Sequence, residues 1–256
     1  MDAIAPIANA GTPLTPSRAS IGLIIPSVNT LSEPQFNRLA PLGLGVHVAR
    51  ARVAGEWKRP LPQMAAEIAT SAKLLGDAGP DLIVFHCTDT SMTAGPDGEG
   101  QILSLIREAA GIEALATSRL VIEALRALSL KRVVVISPYR TNDNVIRYLG
   151  ATGFSVVHDV ALSLASREFV TVTPAQWAEL ARVNDRDEAD GIFLSCTNTT
   201  QIEAIAEIER DLDKPVVNSN QAVLWGCVER LKSALGAPAP MPGLGRLMQM
   251  GQEQTA

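Results

Sequence analysis

At 256 residues, with 46% hydrophobic and 19% charged positions, the chain has enough apolar material for one large domain or two ordinary ones. A net charge of −5 without any basic stretch argues against nucleic acid as a partner, and no apolar run is long enough to span a bilayer. Its three cysteines show neither a secreted disulfide framework nor the paired spacing of a zinc site, so a cytoplasmic enzyme or binding protein is expected.

Residues 1–19, rich in Ala, Pro, Ser and Thr and lacking a signal peptide's apolar core, read as a flexible N-terminal tail. Ile21-Gly-Leu-Ile-Ile-Pro26 suits a buried parallel strand, followed by the turn Ser27-Val-Asn29-Thr30 and a helix with Ser32 as N-cap. Val46–Val53 alternates as a half-exposed strand does, and 61–76 carries apolar residues at helical spacing up to Gly76. Asp81–Phe85 is the next buried strand and leads into Cys87. Gly95-Pro-Asp-Gly-Glu-Gly100 reads as a loop before a helix over 101–110. A short strand over 113–118 follows, with Thr117 or Ser118 capping a helix through Leu128.

Arg132-Val-Val-Val-Ile-Ser-Pro138 is the strongest strand in the chain. Helix is predicted over 141–151, strand over 154–160, and helix over 174–185 entered at Pro174. Ile192–Leu194 is the strand before Cys196, 201–211 a helix and Pro215–Val217 a strand. Asn218-Ser219-Asn220 caps a last helix through Leu235. Strands alternating with helices imply an α/β fold with parallel sheets flanked by helices.

The order also repeats. Pro26 pairs with Pro138, Cys87 with Cys196, and Ser118 with Ser219, each pair about 100–110 residues apart. Two related, pseudo-symmetric lobes follow: 20–117 plus 218–256 as lobe 1, and 118–217 as lobe 2, with the site in the cleft between them.

Open parallel sheets bind ligands beyond the carboxyl ends of their strands. Loops 27–30, 86–91, 138–144 and 195–200 hold that position and bring Asn29, Thr88, Tyr139, Thr197 and Asn198 together with Cys87 and Cys196. Hydroxyls, amides and helix-start N–H groups of this kind hold a small carboxylate without arginine. A thiol at a helix start can have a lowered pKa, which makes Cys87 and Cys196 the candidate reactive groups. Cys227 reads as a buried core thiol, His86 as a supporting residue outside the pocket, and Asp89 as a helix cap. No phosphate-binding or dinucleotide fingerprint follows any strand, so no nucleotide cofactor is expected.

Pro26-Ser-Val-Asn-Thr30 with Glu33-Pro34, Ser137-Pro-Tyr139, Ser195-Cys-Thr-Asn198 and Ser219-Asn-Gln221 resemble the aspartate/glutamate racemase superfamily, most closely its branch of maleate cis–trans isomerases and arylmalonate decarboxylases. The resemblance covers roughly residues 20–235. It implies two lobes around one site, no metal or organic cofactor, and often a homodimer. It matches Cys87 and Cys196 to the two active-site cysteines, Asn29 to the substrate-carboxylate asparagine and Tyr139 to the pocket tyrosine. Decarboxylases keep only the second cysteine, so the resemblance favours an isomerase or racemase, with cis–trans isomerisation of a small dicarboxylic acid as the leading expectation. One departure stands out. Where maleate isomerases carry an Asp-Asn pair, this chain has Leu164-Ala-Ser-Arg-Glu-Phe169, in which Arg167 or Ser166 is the candidate replacement for a carboxylate contact. The alternatives are an amino-acid or hydantoin racemase using both thiols, a malonate-type decarboxylase using Cys196, and a non-catalytic small-acid binding protein.

Overall fold

A computed structural model describes residues 17–236 and 241–250. Most of the expected tail, residues 1–16, lies outside the described residues, and its last position already belongs to a strand, β1 (Ala19–Pro26). Two four-stranded sheets, all parallel, form the frame. The first uses β1, β2 (Leu44–Ala51), β3 (Leu82–Phe85) and β4 (Ala114–Ala116) in the order β2-β1-β3-β4. The second uses β5 (Arg132–Ser137), β6 (Ser155–Ala161), β7 (Gly191–Leu194) and β8 (Val216–Asn218) in the order β6-β5-β7-β8. The two orders are the same, and each cysteine lies two residues beyond the third strand of its sheet.

Alternation along the buried strands divides the core. Ile24, Ile83 and Phe85 point to one face of the first sheet, against Ile68 and Leu75 of α2 (Leu61–Ala78) and Ile102 and Ile106 of α3 (Thr88–Ala110). Ile21, Leu23 and Ile25 point to the other face and share one cluster with Leu224 and Val228 of α8 (Ser219–Leu235). In the second sheet Val133, Val135 and Phe193 pack with Val121 and Leu125 of α4 (Thr117–Ala127) and Leu149 of α5 (Asp143–Ala151). Val134, Ile136 and Leu194 sit with Trp177 of α6 (Pro174–Asn184) and Ile208 of α7 (Ile205–Leu212) in the cluster that also holds α8. The helix that leaves each sheet's last strand therefore packs on the other sheet. Gly226 makes the α4–α8 crossing close, since a Cβ there would come within 2.6 Å of Leu120 Cδ2.

Several local expectations differ. Segment 95–100 is helical: α3 runs through it with a kink at Gly95 (φ 72°, ψ 177°), where the following Pro96 has no N–H to donate. Ser32 is not the N-cap of α1 (Ser32–Leu39) but its first residue. The Asn29 Oδ1 accepts from Leu31 N at 3.1 Å and Ser32 N at 2.9 Å and ties down the helix start. Thr117 and Ser118 cap nothing. Their hydroxyls face His86 and Glu99 instead, because buried polar partners outcompete the local backbone. Residues 201–211 split into a single 3-10 turn, Gln201–Glu203, and α7. Asn218 does cap α8, accepting from Asn220 N and Gln221 N in a capping box. Among the described residues, no helix is long and apolar enough to cross a membrane.

Candidate active site

In each sheet the strand order reverses beside the first strand, at β1/β3 and at β5/β7, and a crevice opens at the carboxyl ends there. The two crevices face each other and merge into one cavity of about 660 Å3. Cys87, Thr88, Asn29, Tyr139, Cys196, Thr197 and Asn198 all line it.

Three residues, Asn198, Thr197 and Ser219, stitch the lobes together at its floor. Asn198 Oδ1 accepts from Thr30 N at 2.9 Å and Leu31 N at 3.2 Å. The Thr197 carbonyl accepts from Ser32 Oγ (2.8 Å), Asn29 Nδ2 (3.2 Å) and Asn220 Nδ2 (3.2 Å). Thr88 Oγ1 donates to Ser219 Oγ at 2.8 Å, and Ser219 Oγ accepts from Cys196 N at 3.3 Å. Asn29 Nδ2 has three acceptors in range, Ser32 Oγ, Thr197 O and Thr197 Oγ1, for only two hydrogens. An arriving carboxylate can take one of those hydrogens without leaving the protein unsatisfied.

The two thiols have different surroundings. Cys87 sits at the start of α3, donates to Thr90 Oγ1 at 3.1 Å, and has Lys58 and Asp89 nearby. Cys196 Sγ accepts from Asn198 N at 3.3 Å and is approached by the Tyr139 hydroxyl. Both are buried, and here the expectation of a lowered pKa fails. Burial pushes Cys87 up to about 11, with the Asp89 charge adding and Thr90 and Lys58 opposing. Burial pushes Cys196 up to about 12, against the pull of Asn198 N–H and Tyr139. A charge on Cys87 raises Cys196 further, so the first thiolate to form keeps the other thiol protonated. Cys227 is fully buried in α8, away from the cavity, as expected of a core thiol.

His86 points away from the cavity and is fully buried. Its Nε2 lies 2.9 Å from Asn220 Oδ1 and its Nδ1 3.0 Å from Thr117 Oγ1. Because Asn220 Nδ2 already donates to Gln35 and Thr197, Asn220 Oδ1 is the acceptor and His86 Nε2 carries the proton. Gln35 Nε2 continues the chain to Thr199 O at 2.9 Å. Neutral His86 is thus one end of a buried strut between the residue before Cys87 and the residues after Cys196.

Burial lowers the His86 pKa from 6.5 to about 3, outweighing the Asn220 hydrogen bond. Below pH 6.5 the unfolded chain binds a proton that the native one refuses, so stability is lost as pH falls towards about 3. Replacing His86 with glutamine is expected to cost about 1–3 kcal/mol at pH 7 by leaving buried partners unpaired. That gap should narrow by about 2 kcal/mol at pH 5, because the variant no longer excludes that proton. Urea unfolding at both pH values measures it, and an unchanged gap would contradict the neutral strut.

Asp89 is not a cap. Its Oδ2 accepts from Lys58 Nζ at 2.6 Å, and Lys58 also donates to Thr93 Oγ1 at 2.9 Å. The loop loses a predicted cap and gains an ion pair beside the nucleophile candidate. Lys58, Arg140, Asn144 and Phe169 line the cavity in addition to the expected residues, and so do Ser166 and Arg167, the candidate replacements for the Asp-Asn pair. One signal was available for Lys58 and Phe169. The loops after β2 and β6 also leave carboxyl ends of parallel strands, and both reach the cavity. Phe169 packs edge-on against Tyr139, with ring centroids 5.8 Å apart.

Two like-ordered parallel sheets, each presenting one cysteine to a shared cleft, define a two-lobed enzyme of the aspartate/glutamate racemase type. The chain matches the family model described as arylmalonate decarboxylase over residues 22–248, and it belongs to that family. It is 30% identical over 249 residues to a maleate isomerase of Nocardia farcinica, covering 92% of this chain and 98% of that one. It is 27% identical over 244 residues to an arylmalonate decarboxylase of Bordetella bronchiseptica, covering 90% and 97%. Among solved structures it resembles a cysteine-to-serine variant of the Nocardia farcinica maleate cis–trans isomerase with a covalently bound succinylcysteine intermediate. The TM-score is 0.78 at 26% identity, over 90% of this chain and 98% of that one.

Proposed function

We propose that this protein is a cofactor-independent cis–trans isomerase of a maleate-type dicarboxylate, with Cys87 as nucleophile and Cys196 as acid and base. The observation that carries this reading is the pair of unlike thiols on one cavity, coupled so that one ionises while the other keeps its proton. At Cys87, Thr90 and Lys58 oppose burial and the Asp89 charge, whereas no cation acts on Cys196.

The Cys87 thiolate adds to one alkene carbon, and the displaced π pair moves onto the adjacent carbon and its carboxylate. Cys196 delivers its proton to that carbon and becomes the thiolate. The former double bond, now single, rotates. Cys196 then removes a proton, the Cys87–carbon bond breaks, and the trans acid leaves with the Cys87 thiolate and the Cys196 thiol restored. Tyr139, Asn29, the Thr197 hydroxyl and the N–H groups opening α3, that of Thr88 included, hold the carboxylates and the charge that develops on them, and Asn198 fixes the Cys196 thiol through its backbone N–H. The succinylcysteine of the Nocardia farcinica relative is the intermediate such a path requires.

The test is conversion of maleate to fumarate, followed by proton NMR in chelator-treated buffer with no additive. Because burial keeps both thiols protonated near neutrality, kcat/KM should climb close to tenfold per unit between about pH 6 and 9. A profile flat over that range would mean that Cys87 is already ionised and would contradict the assigned resting state. The decarboxylase reading keeps two supports, the match to the arylmalonate decarboxylase model and the likeness to the Bordetella bronchiseptica decarboxylase. It would show as carbon dioxide release from an arylmalonate that does not depend on Cys87.

A further inference from the structure

The cavity is larger than maleate requires. Its volume of about 660 Å3 is that of a pocket for a drug-sized ligand, far beyond what a four-carbon diacid fills. The hydroxyl and amide groups that suit two carboxylates are clustered on its floor, around the thiols. Its outer wall is different: Arg140 follows β5 and Arg167 follows β6, neighbouring strands of the second sheet, and both reach the cavity.

The charges can be matched one by one. Lys58 is neutralised by Asp89 at 2.6 Å. Glu56, on the facing wall, is the one other carboxylate lining the cavity among the described residues. Arg140 and Arg167 form no ion pair among the described residues. Two guanidinium groups against one carboxylate leave the mouth net positive. Arginine's planar fork is suited to a carboxylate held edge-on.

Resting on the isomerase reading above, we propose that Arg140 and Arg167 form a third-carboxylate subsite, so that the preferred substrate is a but-2-enedioate bearing a carboxylate on a short side arm. The arm occupies one alkene carbon and leaves the other with its hydrogen, open to Cys87 Sγ. Addition there places the electron pair on the arm-bearing carbon and its directly attached carboxylate. Cys196 protonates that carbon, rotation follows, and reversal expels the trans isomer with nothing consumed. The side arm takes no part in bond making, and its carboxylate reaches outward to the arginines.

The probe is cis-aconitate, which is maleate with a carboxymethyl group on one alkene carbon. Isomerisation of cis-aconitate and of maleate is followed by proton NMR for the wild type, Arg140→Gln, Arg167→Gln and the double variant. The wild type should show kcat/KM for cis-aconitate at least about tenfold above that for maleate, the worth of one charge-assisted hydrogen bond. That ratio should shrink with added salt and collapse towards unity in the double variant. Isomerisation of maleate with no preference for cis-aconitate, or a preference that survives both substitutions, would overturn the subsite while leaving the isomerase reading intact. If neither acid is isomerised, both fall together.

Discussion

Replacing Cys87 with alanine is expected to lower kcat/KM for maleate isomerisation by about 10^4-fold or more, to the limit of detection. The reason lies in what the site contains. Rotation requires the double bond to be lost, and Cys87 is the thiol placed at the start of α3 with Lys58 nearby. Neither Thr88 nor Thr90 can stand in. Thr88 Oγ1 is engaged by Ser219, and Thr90 Oγ1 donates to Val53 O at 2.7 Å. The substitution removes the Sγ contact to Thr90 and the packing of one sulfur atom in the first sheet's core, so the fold should persist, with a loss of about 1–2 kcal/mol. Steady-state kinetics together with urea unfolding separate a chemical loss from a structural one. If decarboxylation of an arylmalonate survived in the same variant, Cys196 would be working alone and the decarboxylase reading would gain.

Cys196→Ser should fail at a different step. A serine hydroxyl can still hand a proton to the carbanion. The alkoxide left behind is reprotonated by solvent, and the resulting hydroxyl is too weak a base to remove a proton from the saturated adduct, so the second half of the cycle stalls. Turnover should fall by about 10^3–10^4-fold while addition to Cys87 persists. Single-turnover kinetics would then show a burst of maleate consumption, stoichiometric with enzyme, and no matching fumarate. Cys87→Ala should show no burst. The two variants differ in where the cycle stops, which total activity alone cannot report.

The parts of this molecule that could be read from the sequence are those in which local pattern and tertiary role coincide. Ile21–Pro26 and 133–136 are buried on both faces of parallel sheets, so they appear as unbroken apolar runs. Cys87 and Cys196 follow such runs by two residues, and the strand order puts both at the same edge. The segment around Gly95 misled because Pro96 and three glycines carry a loop's composition. Helix persists there because Glu99 is buried, its carboxylate accepting from the Tyr148 hydroxyl at 2.6 Å and from Ser118.

Lys58 was illegible for another reason. It sits in an irregular stretch after β2 and looks like a solvated charge, and only the fold brings it to Asp89, 31 positions away. Likewise the amide of Asn198 caps a turn 168 residues distant, at Thr30. The raised thiol pKa values were missed because a helix-start position promises stabilisation of a thiolate, whereas burial, which a sequence does not display, outweighs it.

The central claim is the division of labour between the two thiols, and the mass of the stalled enzyme tests it most directly. The Cys196→Ser protein is incubated with maleate, quenched in acid and analysed intact and as peptides. The account predicts a mass increase of one maleic acid per chain, located on the peptide carrying Cys87 and absent from Cys87→Ala. An unmodified Cys87, or an adduct on Cys227 instead, would contradict it.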